Sequence, residues 1–333
     1  MSQSSSALRA GIFFFLVGAH TVQADTLNLS WDNDLLAASD KGYTNGLRFS
    51  YLTEAASGGP DSCHLCLADH ASEGLAWLPG IGDAGNHHGV AFSLSQLMFT
   101  PENIEATTPQ YDDTPYAGYL SGVAMLWSWN DRSITGYGLI VGVVGPESGA
   151  ENAQKWAHKL TGSDNPKGWD NQLGNDAIGG IQALHAERLL RATSADDFTS
   201  EITWGTGVRL SNFITNAELG VAWRIGTHLP HNFIPDYSGA SSTIGLPGAT
   251  DATAAGWSLF AGLGTEWVPY SYLDDRSGPY TFEQRPFVGY AGIGVGWHFP
   301  GFQAAFTLKA STSPDKTSKE ALRFGTLSVN WQL

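Results

Sequence analysis

The chain has 333 residues, with 32 acidic against 17 basic side chains, a formal charge of −15, 40 glycines and two cysteines. Nucleic-acid binding runs on cationic side chains, so a chain this acidic excludes nucleic acid as an expected partner. An anionic lipid headgroup stays within reach where divalent cations bridge or mask the charge.

At the N-terminus Arg9 precedes the apolar run Ala10-Gly11-Ile12-Phe13-Phe14-Phe15-Leu16-Val17, and Val22 and Ala24 stand at −3 and −1 of a cut before Asp25. This is the form of a secretory signal peptide and is too short to span a bilayer as a helix. Residues 1–24 are expected to be the signal peptide and 25–333 a single mature domain. Removing the leader takes away Arg9 and no acid, so the mature chain is more acidic still. No later segment is long and uniformly apolar. That does not exclude the membrane, because β-barrel strands alternate and give weak hydropathy signals.

The first feature of the mature chain is Trp31-Asp32-Asn33-Asp34-Leu35-Leu36, followed by Asp40-Lys41-Gly42-Tyr43-Thr44-Asn45-Gly46-Leu47-Arg48-Phe49-Ser50. Leu27, Leu29 and Trp31 alternate with polar residues before the cluster, and Leu47, Phe49 and Tyr51 after it. Oxygen-bearing side chains at a strand–loop–strand junction suit catalysis or a hard metal ion. On these residues alone a solvated hairpin loop is the simpler reading. Cys63-His64-Leu65-Cys66 reads as a local disulfide in an oxidising compartment; a redox or zinc site is the other reading, although no second Cys or His pair completes it.

Period two runs through the rest of the chain. Leu327, Val329, Trp331 and Leu333 alternate with Thr326, Ser328, Asn330 and Gln332, and the same pattern marks 202–211, 218–225 and 257–267. A soluble sandwich would share that alternation. The segments, however, run about ten residues or more, the length a tilted strand needs to cross a bilayer. Trp and Tyr recur near segment ends as in an interfacial girdle, and abundant glycine suits a crowded barrel interior. The fold predicted is all-β, a transmembrane antiparallel barrel of about twelve strands with a short helix in an extracellular loop. The predicted spans are 26–35, 43–53, 88–100, 117–129, 134–145, 178–190, 200–212, 217–229, 255–269, 284–299, 302–313 and 323–333. With both termini periplasmic, the loops near 36–42, 101–116, 146–177, 213–216, 270–283 and 314–322 face outward. The segments 54–87 and 230–254 are then periplasmic and long for that side, with no reason for their length visible in the residues.

The loop 146–177 turns helical. Ser148 can cap a first turn with Glu151 completing a capping box, and Gly162 can stop the helix. Gln154 and His158, spaced i, i+4, then share one face. A lone His on a surface helix is usually just solvated. Within an external barrel loop, and followed by Gly168-Trp169-Asp170-Asn171-Gln172-Leu173, it is also a candidate general base. No Gly-x-Ser-x-Gly elbow, His-Glu-x-x-His or phosphate-binding glycine loop occurs. An ester hydrolase without an advertised nucleophile can use a base-activated water and a cation that polarises the carbonyl.

Five motifs in order resemble the outer-membrane lipid A 3′-O-deacylases: Asn33-Asp34 with Tyr43-Thr44-Asn45-Gly46, Gln96-Leu97-Met98-Phe99-Thr100-Pro101, Pro115-Tyr116-Ala117-Gly118, Gln154-x-x-x-His158, and Gly168 through Leu173. The resemblance covers essentially the mature chain. It implies a twelve-stranded barrel of the Gram-negative outer membrane that removes the 3′-linked acyloxyacyl group from lipid A of lipopolysaccharide, dependent on calcium and expected to act as a monomer. By motif match, Asn33, Asp34, Thr44, Gln154 and His158 fall on the family's functional positions. Asp164 falls where the family carries Glu, a looser match. Asp34, Thr44 and Asp164 are the expected calcium ligands. With Leu27, Leu29 and Trp31 facing lipid, alternation sends Asp32, Asp34, Thr44 and Arg48 inward and Asn33 outward, unless a bulge re-aims it. A phospholipase-like outer-membrane esterase, or a non-catalytic pore or adhesin, would use the same scaffold.

Overall fold

The computed structural model describes residues 25–37, 42–54, 67–161, 164–237, 246–276 and 278–333. The expected signal peptide, Cys63, Cys66 and Gly162 lie outside the described residues. Twelve strands follow one another in antiparallel order: β1 Thr26–Asn33, β2 Gly42–Glu54, β3 His87–Thr100, β4 Ala117–Trp129, β5 Ser133–Val144, β6 Asp176–Thr193, β7 Phe198–Ser211, β8 Ile214–Thr227, β9 Gly256–Ser271, β10 Phe287–Phe299, β11 Phe302–Ser311 and β12 Leu322–Gln332. Each pairs with its neighbours in sequence, and β1 pairs with β12 to close the barrel. The helices are α1 Leu67–Gly74, α2 Ala150–Thr161 and α3 Tyr272–Asp275. Among the described residues no helix is long and apolar enough to cross a membrane.

The predicted strands are found, with shifted ends. β1 stops at Asn33 because Asp34–Ala37 winds into a 3-10 turn. β10 starts at Phe287 rather than 284, just past Pro286, which has no N–H to give to a ladder. Alternation sorts the wall. Leu29, Leu47, Phe49, Phe92, Leu94, Leu139 and Val141 are exposed on the outer surface, while Asp32, Arg48, Ser50, Ser93, Ser121 and Thr326 are buried on the inner one. The seam is tied from inside: Asp32 accepts hydrogen bonds from Tyr43 Oη at 2.8 Å and Thr326 Oγ1 at 2.7 Å, with the Arg48 guanidinium 4.0 Å away. One carboxylate thus links β1, β2 and β12.

The two long segments expected on the periplasmic side have different uses. The stretch after β8 turns back into the lumen. Phe233 and Leu246 pack among inward-facing Leu52, Met125, Trp127 and Ile140, and Asp236 meets Lys309 of β11 at 2.5 Å. The Tyr237 ring lies against Gly262, where a Cβ would stand 2.3 Å from its Cγ, so any larger residue at 262 would evict it. Arginines grip the entry of this plug: Arg224 donates to the Pro230 carbonyl and Arg188 to that of His231. Both arginines are held by the buried Glu201, at 2.7 Å from Arg224 Nε and 3.0 Å from Arg188 Nε, and Arg191 approaches it at 3.4 Å.

The segment carrying α1 wraps the opposite side of the wall. Val90 and Leu126, at outward positions, are buried beneath Ala68 and Ile81, and Tyr137 Oη donates to the Pro79 carbonyl. Leu67, Leu75 and Trp77 remain exposed, Trp77 by 76%. An aromatic and aliphatic edge at this end of a barrel suits the membrane interface.

Two outcomes follow. Glu201→Ala leaves three arginines without their buried counter-charge and should lower the free energy of unfolding by about 3–5 kcal/mol, measured by urea denaturation in detergent. With the lumen plugged, the protein should give no stable conductance in planar bilayers, whereas replacing 230–254 by a short turn should give one.

Candidate active site

The elements that gather the motif residues lie on the outer face of the wall. Asp32 points into the barrel, so its neighbour Asn33 points outward. In register, Gly325 of β12 faces Asn33, Asn33 faces Asn45 of β2, Asn45 faces Met98 of β3, and Met98 faces Gly118 of β4. This row occupies outward positions: Asn45 shares the parity of exposed Leu47 and Phe49, and Met98 that of exposed Phe92 and Leu94. The row spans three strand spacings from Asn33 to Gly118, about 14 Å at ~4.8 Å each.

Both ends of the row are roofed. At one end a Cβ on Gly325 would lie 2.4 Å from Leu36 Cβ, so the 3-10 turn that begins with Asp34 folds over β12. At the other, a Cβ on Gly118 would lie 2.2 Å from Ser148 Oγ and 2.4 Å from Ala150 Cβ, so the start of α2 sits directly on β4. Met98 is buried under Tyr116, Ala150 and Trp169. The two glycines let chain segments approach the wall. Between the roofs lie Asn33, only 9% exposed, and Asn45.

Helix α2 places its residues by face. Ala150, Ala153, Gln154, Ala157 and His158 are buried or half-buried, while Asn152, Lys155, Trp156 and Lys159 are exposed. The expected capping box does not form. Ser148 belongs to a 3-10 turn, Pro146–Ser148, with its Oγ 3.4 Å from the Ala150 amide, and Glu151 pairs instead with Lys155 one turn on. Gln154 is 1% exposed, and its Oε1 accepts the Trp169 indole N–H at 2.7 Å. Trp169 packs on Tyr116 with ring centroids 5.0 Å apart, and Gly168 leaves room for that ring. Three of the sequence motifs therefore assemble as the support of α2.

His158 Nδ1 lies 2.5 Å from the Asp164 backbone carbonyl. A carbonyl can only accept, so Nδ1 carries the proton of this bond. Asp164 acts through its main chain and its residue is exposed. Asp34 is 2% exposed and opens the 3-10 turn. Strand parity does not extend to it. Nor does it extend through Thr44: the ladder between β2 and β3 shifts between Tyr43 and Asn45, and Tyr43 turns inward to Asp32. The side chain of Thr44 lies outside the described residues. Among the described residues no group of three His, Cys, Asp or Glu converges on a metal position. The hard oxygens on offer are the Asp34 carboxylate and the adjoining Asn33 amide, a partial set for calcium, which takes six to eight. Asn45 was not singled out in the sequence as a site residue; its pairing opposite Asn33 is the signal that places it there.

Solved structures and family models bear on this architecture. LpxR from Salmonella typhimurium aligns with a TM-score of 0.70 over 92% of this chain and 99% of that one, at 16% identity. The β domain of the Bordetella autotransporter BrkA aligns with a TM-score of 0.44 at 9% identity over 92% of this chain and 97% of its own. An outer membrane channel from Pseudomonas putida reaches 0.40 at 9% identity over 95% and 97%. No curated protein matches the sequence. The family model described as outer membrane protein LpxR matches residues 7–333. The chain belongs to the LpxR family of outer membrane proteins.

Proposed function

We propose that this outer-membrane barrel is a carboxylic ester hydrolase that removes the 3′-linked acyloxyacyl group from lipid A. The observation that carries the reading is the shared outer face: Asn33 looks out from β1, and the α2 helix bearing His158 is seated on the same side of the wall at β4. A substrate whose acyl chains stay in the leaflet can bring its headgroup to that face without leaving the membrane. Trp156, 68% exposed on α2, offers an apolar surface to those chains.

In this reading His158 Nε2 takes a proton from water as the water oxygen attacks the ester carbonyl. The tetrahedral intermediate then breaks its bond to the 3′ sugar oxygen, which leaves as the hydroxyl by taking that proton back from Nε2, and the acyl group leaves as a carboxylic acid. The Asp164 carbonyl keeps the imidazole in the required tautomer. Gln154 steadies the helix face one turn before His158, its own position fixed by Trp169. Asp34 and Asn33 would hold calcium as part of an oxygen shell, with Thr44 as the third expected donor and water or substrate oxygens completing it. Bound there, the ion would polarise the carbonyl and stabilise the oxyanion.

His158→Ala should lower the rate of 3′-deacylation by about 10²–10⁴-fold, followed by mass spectrometry of lipid A from outer-membrane vesicles. Full retention would remove His158 as the base, and release of fatty acid from phospholipids with lipid A intact would point to a phospholipase instead. Excess EGTA should abolish activity and added calcium restore it; a rate unchanged by chelation would sink the role of the metal.

A further inference from the structure

We propose that the barrel lumen is a second binding site, separate from the outer face, for a small apolar molecule carrying a cationic amine. A cavity of about 480 Å³ lies inside the wall, within the ~300–1,000 Å³ range of small-molecule sites. Its lining includes Tyr237 of the plug on one side and Phe213, Leu273 and Phe282 of the outward connections on the other. It therefore lies between the plug and the outward connections.

Two properties set the chemistry of its occupant. A water-filled barrel interior is polar, yet this one presents Leu97, Phe99, Val123, Met125 and Leu184. Such a lining favours an apolar body that displaces water. Across from them, Glu218 of β8 and Glu266 of β9 stand directly opposite in register, both turned inward. Glu218 reaches over Gly207, where a Cβ would lie 2.7 Å from its Oε1. The missing side chain makes room for the carboxylate.

Of the two cations that line the chamber, Lys309 is taken by Asp236 of the plug at 2.5 Å. Arg209 donates through Nε to Gln182 Oε1 at 3.2 Å and also stands in the field of Glu218 and Glu266, so one cation faces two carboxylates and the pair keeps a negative excess. Asp112, Asp113, Asp315 and Glu320 line the cavity's outward end and add to the negative field. An ammonium group among these carboxylates is favoured, and a carboxylate there is repelled.

The test uses the full chain in lipid nanodiscs, titrated calorimetrically with 4-phenylbutylamine and with 4-phenylbutyrate, subtracting the heats of empty nanodiscs. The amine should bind at least tenfold more tightly than the carboxylate. In the Glu218→Gln/Glu266→Gln double variant its affinity should drop about tenfold, levelling the two probes. Gly207→Ala, which pushes on the Glu218 carboxylate while keeping its charge, should weaken the amine by a smaller factor and serves if the double variant does not fold. Lipid A processing should continue in all of these variants. Equal affinity for the two probes, no binding of the amine up to about 10 mM, or amine binding indifferent to the substitutions would overturn the proposal.

Discussion

The buried carboxylate of Asp32 fixes the arrangement on which the rest of the site depends. A strand of period two can shift by one residue and exchange its faces, so something must hold its register. Here Tyr43 and Thr326 donate to the two oxygens of Asp32 from the strands on either side, with Arg48 close by. Exposing that carboxylate to lipid would cost several kcal/mol and strand its donors. Asp32 therefore stays inside, and Asn33, the next residue, is delivered to the outer surface. The same bonds pin the first strand to the last, so closure of the barrel and placement of the candidate site rest on one side chain.

Inside and outside then serve different ends. The inner surface carries most of the buried charge, and near the plug that charge is paired by sign: Glu201 with three arginines, Lys309 with the plug aspartate. Such pairs stabilise little against an apolar replacement but penalise any arrangement that separates them. They hold the plug in one position. The outer surface is apolar except where chain segments fold back on it, and there glycines at 118 and 325 let a helix and a turn lie directly on the backbone. Polar side chains between those two roofs are sheltered from lipid on either side.

The wall was legible in the sequence because period-two alternation is a direct imprint of a surface with one face in lipid. β4, expected at 117–129, is found there, and the other strands differ by a few residues at their ends. Alternation failed where the backbone leaves the pleat. The 3-10 turn at Asp34 and the bulge around Thr44 follow local hydrogen bonding, which carries no hydrophobic period. The two long connections, 54–87 and 230–254, were visible only as excess length. In their described parts one packs in the lumen and the other on the wall, and neither makes a repeating pattern because each contacts the barrel through a few side chains. The outward direction of Asn33 followed from parity alone and looked inconsistent with an interior site. The structure removes the conflict by putting α2 outside.

This placement changes what the family motifs mean. Tyr116, Gly118, Gly168 and Trp169 make no contact that requires a substrate; they hold α2 against the wall and fix Gln154 through its carbonyl oxygen. A helix of twelve residues is marginal on its own, and a histidine on an unsupported helix would sample many positions relative to Asn33. With Ala150 seated on Gly118 and Trp169 bonded to Gln154, the helix is fixed at two points one turn apart. His158 follows one turn later, with its own ring held by the Asp164 carbonyl. Most of the motif residues thus act by restricting the freedom of one imidazole, and that restriction is what His158 would need in its proposed role as a general base meeting a carbonyl presented from the leaflet.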